Sequence, residues 1–311
     1  MKLYEVIERI EFNIASNDDI SGKGVNTIFS KKNIVYALQT ALDHYSQYTL
    51  GIEGIKSYSV STTQRSVNAP QDAVRTNTYR GFFAIISNLK YLLKPEEFIA
   101  INNQYYGNNF SGFPTNVYFW ENYINIFPLF NESFSATSLA APITSESTDI
   151  TLISTNGFLE YEGRCQIGAE TIAYEKIDIP NNTLLNCRRG VEGTNAQNHV
   201  IASPVESKNF YVYYYKNHWK IPLLNNTTID PSYLQKEMEI SDDHIEGVID
   251  EASYKLLSKV DIERAAFYKR DYKEFLDDCK YSLVKGRDNT NTYKTTRHIY
   301  PFESTTYSRN F

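Results

Sequence analysis

Histidines and paired carboxylates are the residues of this chain best suited to catalysis or metal binding, because both groups transfer protons and coordinate cations near neutral pH. The histidines are His44, His199, His218, His244 and His298. Their spacing matches neither the H-E-x-x-H pair of zinc enzymes nor another metal-ligand pattern. We therefore expect no metal site and no cofactor.

Three pairs of adjacent aspartates could supply the two carboxylates that a glycosidase needs. They are Asp18-Asp19, Asp242-Asp243 and Asp277-Asp278. A loop, a helix start and a solvated helix face explain them more simply. The chain has no G-x-S-x-G nucleophile elbow, and no G-x-G-x-x-G opens a helix. We therefore expect no catalytic residues, and a protein that is not an enzyme.

Composition narrows the functional classes further. The chain has 311 residues, with 31 lysines and arginines against 37 aspartates and glutamates, so its net charge is −6. Non-specific nucleic-acid binding depends on clustered cations, which makes it a poor expectation here. No apolar run approaches the ~18 residues of a membrane helix, so we expect no membrane partner. The length predicts about two folding units.

Helical patterns occupy much of the first hundred residues. Apolar residues recur at helical spacing from Leu3 to Ile14, after the N-cap residue Ser30, and again from Tyr79 to Leu93. The sequence therefore predicts three helices here. Aromatic and β-branched residues at 117–120 and 123–127 then predict a β hairpin.

The second half alternates between β and α patterns. Short strand candidates separated by glycines fill residues 150–205, and an aromatic strand follows at 210–215. A helix begins at Ser241, and another runs from Asp261 to Gly286.

Together these patterns predict an α+β protein. Its helical core, with a β hairpin or small sheet, is formed by residues 1–134 and 208–285. An all-β module is inserted at 135–207, because surface loops tolerate insertions, and residues 286–311 form an extended tail.

A glycine-rich turn in the inserted module contains several polar side chains. We interpret it as structural, with the glycines forming tight turns and the arginine and histidine binding exposed carbonyl groups. A ligand site is the alternative. The turn residues are Arg189, Gly190, Gly193, Thr194 and His199.

The same module carries a recognisable pattern. Gly168, Glu170, Ile172 and Tyr174 form a G-x-E-x-I-x-Y element, and the glycine-rich turn follows as R-G-x-x-G-T-x-A-x-x-H. This pattern resembles a small β module of tailed-bacteriophage virion proteins. The flanking segments, including residues 29–38, 119–128 and 210–215, resemble head–tail adaptor proteins.

The resemblance implies a structural virion protein of the head–tail joint, assembled in the cytoplasm of the bacterial host. Such adaptors form a ring, usually of twelve copies, between the portal protein and the next tail protein. Genomic DNA passes through the lumen without sequence-specific binding. The alternatives are another tail or baseplate component, or a receptor-facing protein that binds carbohydrate through the β module. A peptidoglycan-cutting tail enzyme is a third possibility.

Two segments are predicted to contact neighbouring proteins. The tail has too few apolar residues to fold alone, and arginine and aromatic residues dominate interfaces, so we expect it to dock onto the portal or a neighbouring subunit. The alternative is a tail held against its own domain. The predicted docking residues are Arg287, Tyr293, Lys294, Arg297, Tyr300, Phe302, Tyr307, Arg309 and Phe311. A loop near residue 105 is predicted to contact a neighbouring subunit through Tyr105, Tyr106, Phe110 and Phe113.

Overall fold

A computed structural model describes residues 1–15, 29–74, 79–97, 111–225 and 228–290, with the backbone alone at 111 and 280–290. These residues divide into two units. The helical unit comprises the described parts of Met1–Glu53, Asp72–Thr78 and Tyr215–Tyr293. The β unit comprises Gly54–Gln71 and the described parts of Tyr79–Tyr214.

Apolar stripes hold the helical unit together. Its helices are α1 (Leu3–Ile14), α2 (Lys31–Thr49), α3 (Pro231–Leu234), α4 (Asp242–Leu257) and α5 (Ile262–Thr290). Leu3, Leu38 and Ile245 come from three different helices and are fully buried in one core. The predicted helix start at Ser30 is confirmed, because Ser30 precedes α2 and accepts a hydrogen bond from the backbone N–H of Asn33. Asp261 does the same for Arg264 at the start of α5.

The predicted fold class is wrong. Strands account for 34% of the structure and helices for 28%, and a large curled sheet takes the place of a helical core. This sheet contains β1 (Glu53–Tyr58), β2 (Ser66–Asn68), β3 (Tyr79–Ile86), β4 (Leu89–Pro95), β6 (Asn116–Trp120), β7 (Tyr123–Phe127) and β17 (Phe210–Tyr215). Its seven strands follow the order β1-β17-β3-β4-β6-β7-β2.

The error arose mainly in the segment that was predicted to be the third helix. That segment forms the antiparallel pair β3 and β4, joined at Ser87 and Asn88, which both have positive φ. Every residue of β3 is buried. A strand covered on both faces shows no alternation of polar and apolar residues, so its apolar side chains also fit helical spacing.

Two predicted β elements are confirmed. The hairpin consists of β6 and β7, which pair from Asn116↔Phe127 to Trp120↔Tyr123. The aromatic strand is β17, which pairs with β3 in the middle of the large sheet.

Side chains form hydrogen bonds with backbone groups at both edges of the large sheet. The Tyr58 hydroxyl donates to the carbonyl of Asn68, and the Gln64 amide donates to the carbonyl of Ser66, 3.1 Å away. At the other edge strand the Glu192 carboxylate accepts the backbone N–H of Ser57, at 3.0 Å. The bond from Tyr58 joins β1 to β2, which are the two edge strands. The sheet is therefore curled enough to bring its edges together.

The β module contains two further sheets and has its own core. The five-stranded sheet follows the order β15 (Arg188–Val191), β12 (Glu170–Ala173), β11 (Arg164–Ile167), β16 (Pro204–Ser207) and β9 (Ala136–Ser138). The three-stranded sheet follows the order β10 (Ile150–Thr151), β14 (Thr183–Leu185) and β13 (Lys176–Asp178). Phe158, Ile167 and Leu184 are among the buried residues between them.

Two small strand pairs complete the described structure. They are β5 (Ser111–Gly112) with β8 (Leu129–Phe130), and β18 (Leu223–Leu224) with β19 (Thr228–Ile229). No described helix is long and apolar enough to cross a membrane.

Candidate functional site

The glycine-rich turn of the β module surrounds one buried carboxylate, that of Glu170 at the start of β12. Arg189 binds it with two hydrogen bonds, from Nε to Oε1 at 2.8 Å and from Nη2 to Oε2 at 2.7 Å. The His199 Nε2 atom lies 2.8 Å from Oε2. The backbone N–H groups of Gly190 and Gln197 also donate to the carboxylate, at 3.0 and 3.1 Å.

These contacts keep Glu170 ionised inside the module. Burial raises the pKa of a carboxyl group, but hydrogen bonds from Arg189, His199 and the Gln197 backbone outweigh that effect. The pKa of Glu170 therefore lies below its ordinary value. The buried charge is paired and fully hydrogen-bonded, which is the condition under which such a charge is tolerated.

Arg189 also links separate segments of the chain. Its Nη2 donates to the carbonyl of Gln197 at 2.7 Å, and its Nη1 donates to the carbonyl of Thr144. Thr194 closes the turn, because its hydroxyl donates to Val191 and accepts the backbone N–H of Thr171. We call Glu170 and its partners the Glu170 hub.

The two glycines of the turn have different steric surroundings. Both have positive φ, +61° at Gly190 and +78° at Gly193. A Cβ at Gly190 would lie 2.8 Å from the backbone nitrogen of Ala196, whereas nothing lies within 4 Å at Gly193. Position 190 therefore requires glycine for two reasons: its φ is positive, and a Cβ would collide with the backbone of Ala196.

Three of the five predicted turn residues, Arg189, Gly190 and His199, contact Glu170, and Thr194 closes the same turn through Val191 and Thr171. Arg189 binds carbonyl groups as the sequence suggested, but His199 contacts a carboxylate. Sequence reasoning placed Glu170 in the pattern without giving it a role. The available signal was its position as the acid of the G-x-E element, in the same module as the basic residue Arg189.

Few of the predicted neighbour contacts fall on described residues. Phe113 is partly exposed, and its ring packs edge-on against Tyr91, with 4.4 Å between the ring centroids. Tyr105, Tyr106 and Phe110 lie outside the described residues. Arg287 lies within α5, in the part where the backbone alone is described. The other predicted tail contacts also lie outside the described residues, namely Tyr293, Lys294, Arg297, Tyr300, Phe302, Tyr307, Arg309 and Phe311.

The remaining described histidines have structural partners. His44 and His244 contact the hydroxyl groups of Tyr272 and Tyr45, at 3.2 and 2.7 Å. His218 is hydrogen-bonded to two backbone groups. Among the described residues, no group of three or more potential ligands could hold a metal ion.

Large apolar side chains are exposed on the β module. Ile153, Val200 and Ile201 are 62%, 72% and 59% exposed. Backbone hydrogen bonds place residues 151–153 on one side of residues 138–140, and residues 202–203 on the other. Ile153 therefore lies on one side of this short segment, and Val200 and Ile201 belong to the turn that leads into its other side; we call these three residues the module apolar patch.

The aromatic residues of the module do not form an exposed stack. Phe158 and Tyr174 are buried in the module core, whereas Tyr161 is exposed. Carbohydrate sites typically use several exposed aromatic rings, and of these three residues Tyr161 alone has an exposed ring.

Comparison with known proteins gives no identification. No protein-family model matches the chain, and no curated protein matches it. A functional proposal therefore depends on the residues described above.

Proposed function

We propose that this chain is a structural component of a tailed-bacteriophage virion, acting as a head–tail adaptor. In this role, copies of the chain form a ring of twelve under the portal protein and contact the next tail protein below. Genomic DNA passes through the ring on its way to the tail.

The module apolar patch is the observation that carries the proposal. Completely burying a β-branched side chain of this type contributes up to about 1.5–3 kcal/mol of transfer free energy, before the costs of association are subtracted. We take the patch to be a contact surface, as contiguous exposed apolar groups typically are. A protein that functions by contact with neighbours accounts for the patch directly.

The Glu170 hub supports the same role. The side chains of Glu170 and Arg189 are almost completely buried, and their hydrogen bonds are used within the module. The pattern that resembles phage virion modules therefore corresponds to an internal brace. A braced module presents its surface residues in fixed positions, which suits repeated contacts in a ring.

The charge of the chain also suits a DNA channel. The net charge of −6 favours a lumen that does not hold the phosphate backbone, because like charges repel. DNA would then pass without sequence-specific binding.

The test is to co-express the full chain with the portal protein of the same phage and measure the mass of the purified complex. The proposal predicts a ring of twelve copies on the portal. A trimer or hexamer would indicate the receptor-facing alternative, and a monomer that degrades peptidoglycan would indicate an enzyme.

Variants of the patch sharpen the test. Val200→Asp and Ile201→Asp should weaken ring formation, because a carboxylate would then be desolvated in the contact. Leu89→Asp is a matched control, since Leu89 is as exposed as Ile201 but is the first residue of β4, away from the patch. Ring formation that survives both patch substitutions would contradict the proposed use of this surface.

A further inference from the structure

A polar cleft within the β unit is not used by the proposed assembly. It has a volume of about 490 Å³ and lies beside the two edge strands of the large sheet and the five-stranded sheet. Two lysines line it together with amide and hydroxyl side chains. The lining residues relevant here are Lys56, Ser66, Gln166, Thr171, Glu206 and Lys208.

Lys208 is the unusual member of this lining. The residue is only 6% exposed, although lysine is seldom buried without an ionic partner. Its Nζ donates to the side-chain oxygen of Gln166, which is neutral. Among the described residues Lys208 forms no ion pair, so its charge has no opposite charge in direct contact.

The nearest carboxylates do not compensate fully for this burial. Glu192 is held by Arg164 and by the backbone and hydroxyl of Ser57. Glu206 pairs with Gln166 in the ladder between β11 and β16 and lines the cleft. Burial still lowers the pKa of Lys208, although both glutamates act to raise it.

Lys56 adds a second positive charge to the cleft. Its Nζ lies 3.7 Å from Glu192, whose charge is already shared with Arg164. With the Glu192–Arg164 pair neutral, two ammonium groups face the single carboxylate of Glu206. The cleft therefore has an excess positive charge at a place where one ammonium group is shielded from water.

We propose that this cleft binds a small molecule through an oxyanion, a phosphate or carboxylate group, held by Lys208 and Lys56. A charge-assisted bond to Lys208 would supply the counter-charge that its amide partner lacks. The hydroxyl groups of Ser66 and Thr171 lie in the same lining and offer further hydrogen bonds. The volume leaves room for a ligand larger than the oxyanion itself.

The proposal is tested by calorimetric titration of the full chain with inorganic phosphate and, separately, with citrate. We expect saturable binding of at least one probe at one site per chain. Phosphate binding alone would identify the phosphate class, and citrate binding alone the carboxylate class. The absence of saturable binding by both probes would overturn the proposal without affecting the adaptor function.

Substitutions locate the binding. Lys208→Met should weaken the affinity by about tenfold or more, because a charge-assisted hydrogen bond is lost. Lys56→Met should weaken it less, since that side chain is about one-third exposed. Lys176→Met, at an exposed strand position outside the cleft, should leave the affinity unchanged.

The folded state of each variant is checked by its melting temperature before titration. If Lys208→Met does not fold, Lys56→Met and the wild-type titrations still decide the question. If Lys208→Met folds and binds with wild-type affinity, the proposed site is overturned. If Lys208→Met does not fold, wild-type affinity in Lys56→Met would overturn it.

Discussion

The guanidinium of Arg189 meets the carboxylate of Glu170 through two parallel hydrogen bonds, of 2.8 and 2.7 Å, inside the β module. This pair joins the glycine-rich turn to β12. Because both side chains are nearly inaccessible to water, neither partner can be removed without leaving a buried charge.

Glu170→Gln should therefore destabilise the protein by about 3–5 kcal/mol, because Arg189 would remain buried without its opposite charge. The free energy of unfolding is measured by urea denaturation. Glu175→Gln is the control, because Glu175 is exposed five positions further along and should change stability by less than about 1 kcal/mol. Equal effects of the two substitutions would contradict the role of the hub.

The substitutions Gly190→Ala and Gly193→Ala distinguish the cost of a positive φ from the cost of a steric clash at the added Cβ. Both place alanine at positive φ, which costs roughly 1–2 kcal/mol. Gly190→Ala should cost clearly more, because its Cβ would meet the backbone of Ala196, whereas Gly193 has open space. Thermal denaturation of the two variants under one set of conditions checks the order, and a larger loss at Gly193 would refute it.

His218 should make the helical unit sensitive to acid. Its Nε2 accepts the backbone N–H of Glu239 at 3.1 Å, and its Nδ1 donates to the carbonyl of Trp219 at 2.9 Å, so the neutral ring is required. Burial lowers the pKa of His218. Its contribution to stability is therefore complete above the unfolded-state pKa of about 6.5 and is lost as the pH falls through the lower folded-state pKa.

The measurement is the melting temperature of wild type and His218→Gln between pH 8 and pH 5. Wild type should lose stability toward pH 5 more steeply than the variant, which cannot gain a proton at this position. Parallel pH profiles would exclude His218 as a source of acid sensitivity.

Asp250 should have the opposite pH dependence. Burial and the nearby charge of Asp271 raise its pKa to about 6. Since the folded state then holds this proton more tightly than the unfolded state, the ionised group destabilises the fold above pH 6, and stability is regained as the pH falls.

Asp250→Asn should therefore stabilise the protein at pH 8 by about 1 kcal/mol, a value reduced for partial exposure and screening. At pH 5 the gain should be smaller, because the carboxyl group of the wild type is then mostly neutral. Denaturation at both pH values checks this, and a gain that does not depend on pH would point to packing instead of charge.

Local signals in the sequence were sufficient for several elements. The break between α4 and α5 was predictable because Asp261 supplies a capping carboxylate. The hairpin of β6 and β7 was predictable because two β-rich segments flank a short polar turn at Glu121. In each case the decisive interaction lies within a few residues of the signal.

Contacts between residues far apart in the sequence determine the elements that could not be predicted. Residues Tyr79–Ile86 form a strand because β17, more than a hundred residues later, covers one edge and β4 the other. The role of Glu170 likewise depends on Arg189 and His199, which reach it only after the strands of the module pair. Sequence spacing contains no direct record of such contacts, so the composition of the turn was predictable and its central carboxylate was not.

The side chains that occupy the edges of the large sheet also restrict how copies of this protein can join. An added strand from another molecule would have to displace Tyr58 and Gln64 from the carbonyls they cover, and Glu192 from the amide of Ser57. Association through side-chain surfaces avoids that cost. Copies joined in this way could be separated and reassembled while each sheet remains intact, and the same blocked edges would oppose fibril-like aggregation at high protein concentration.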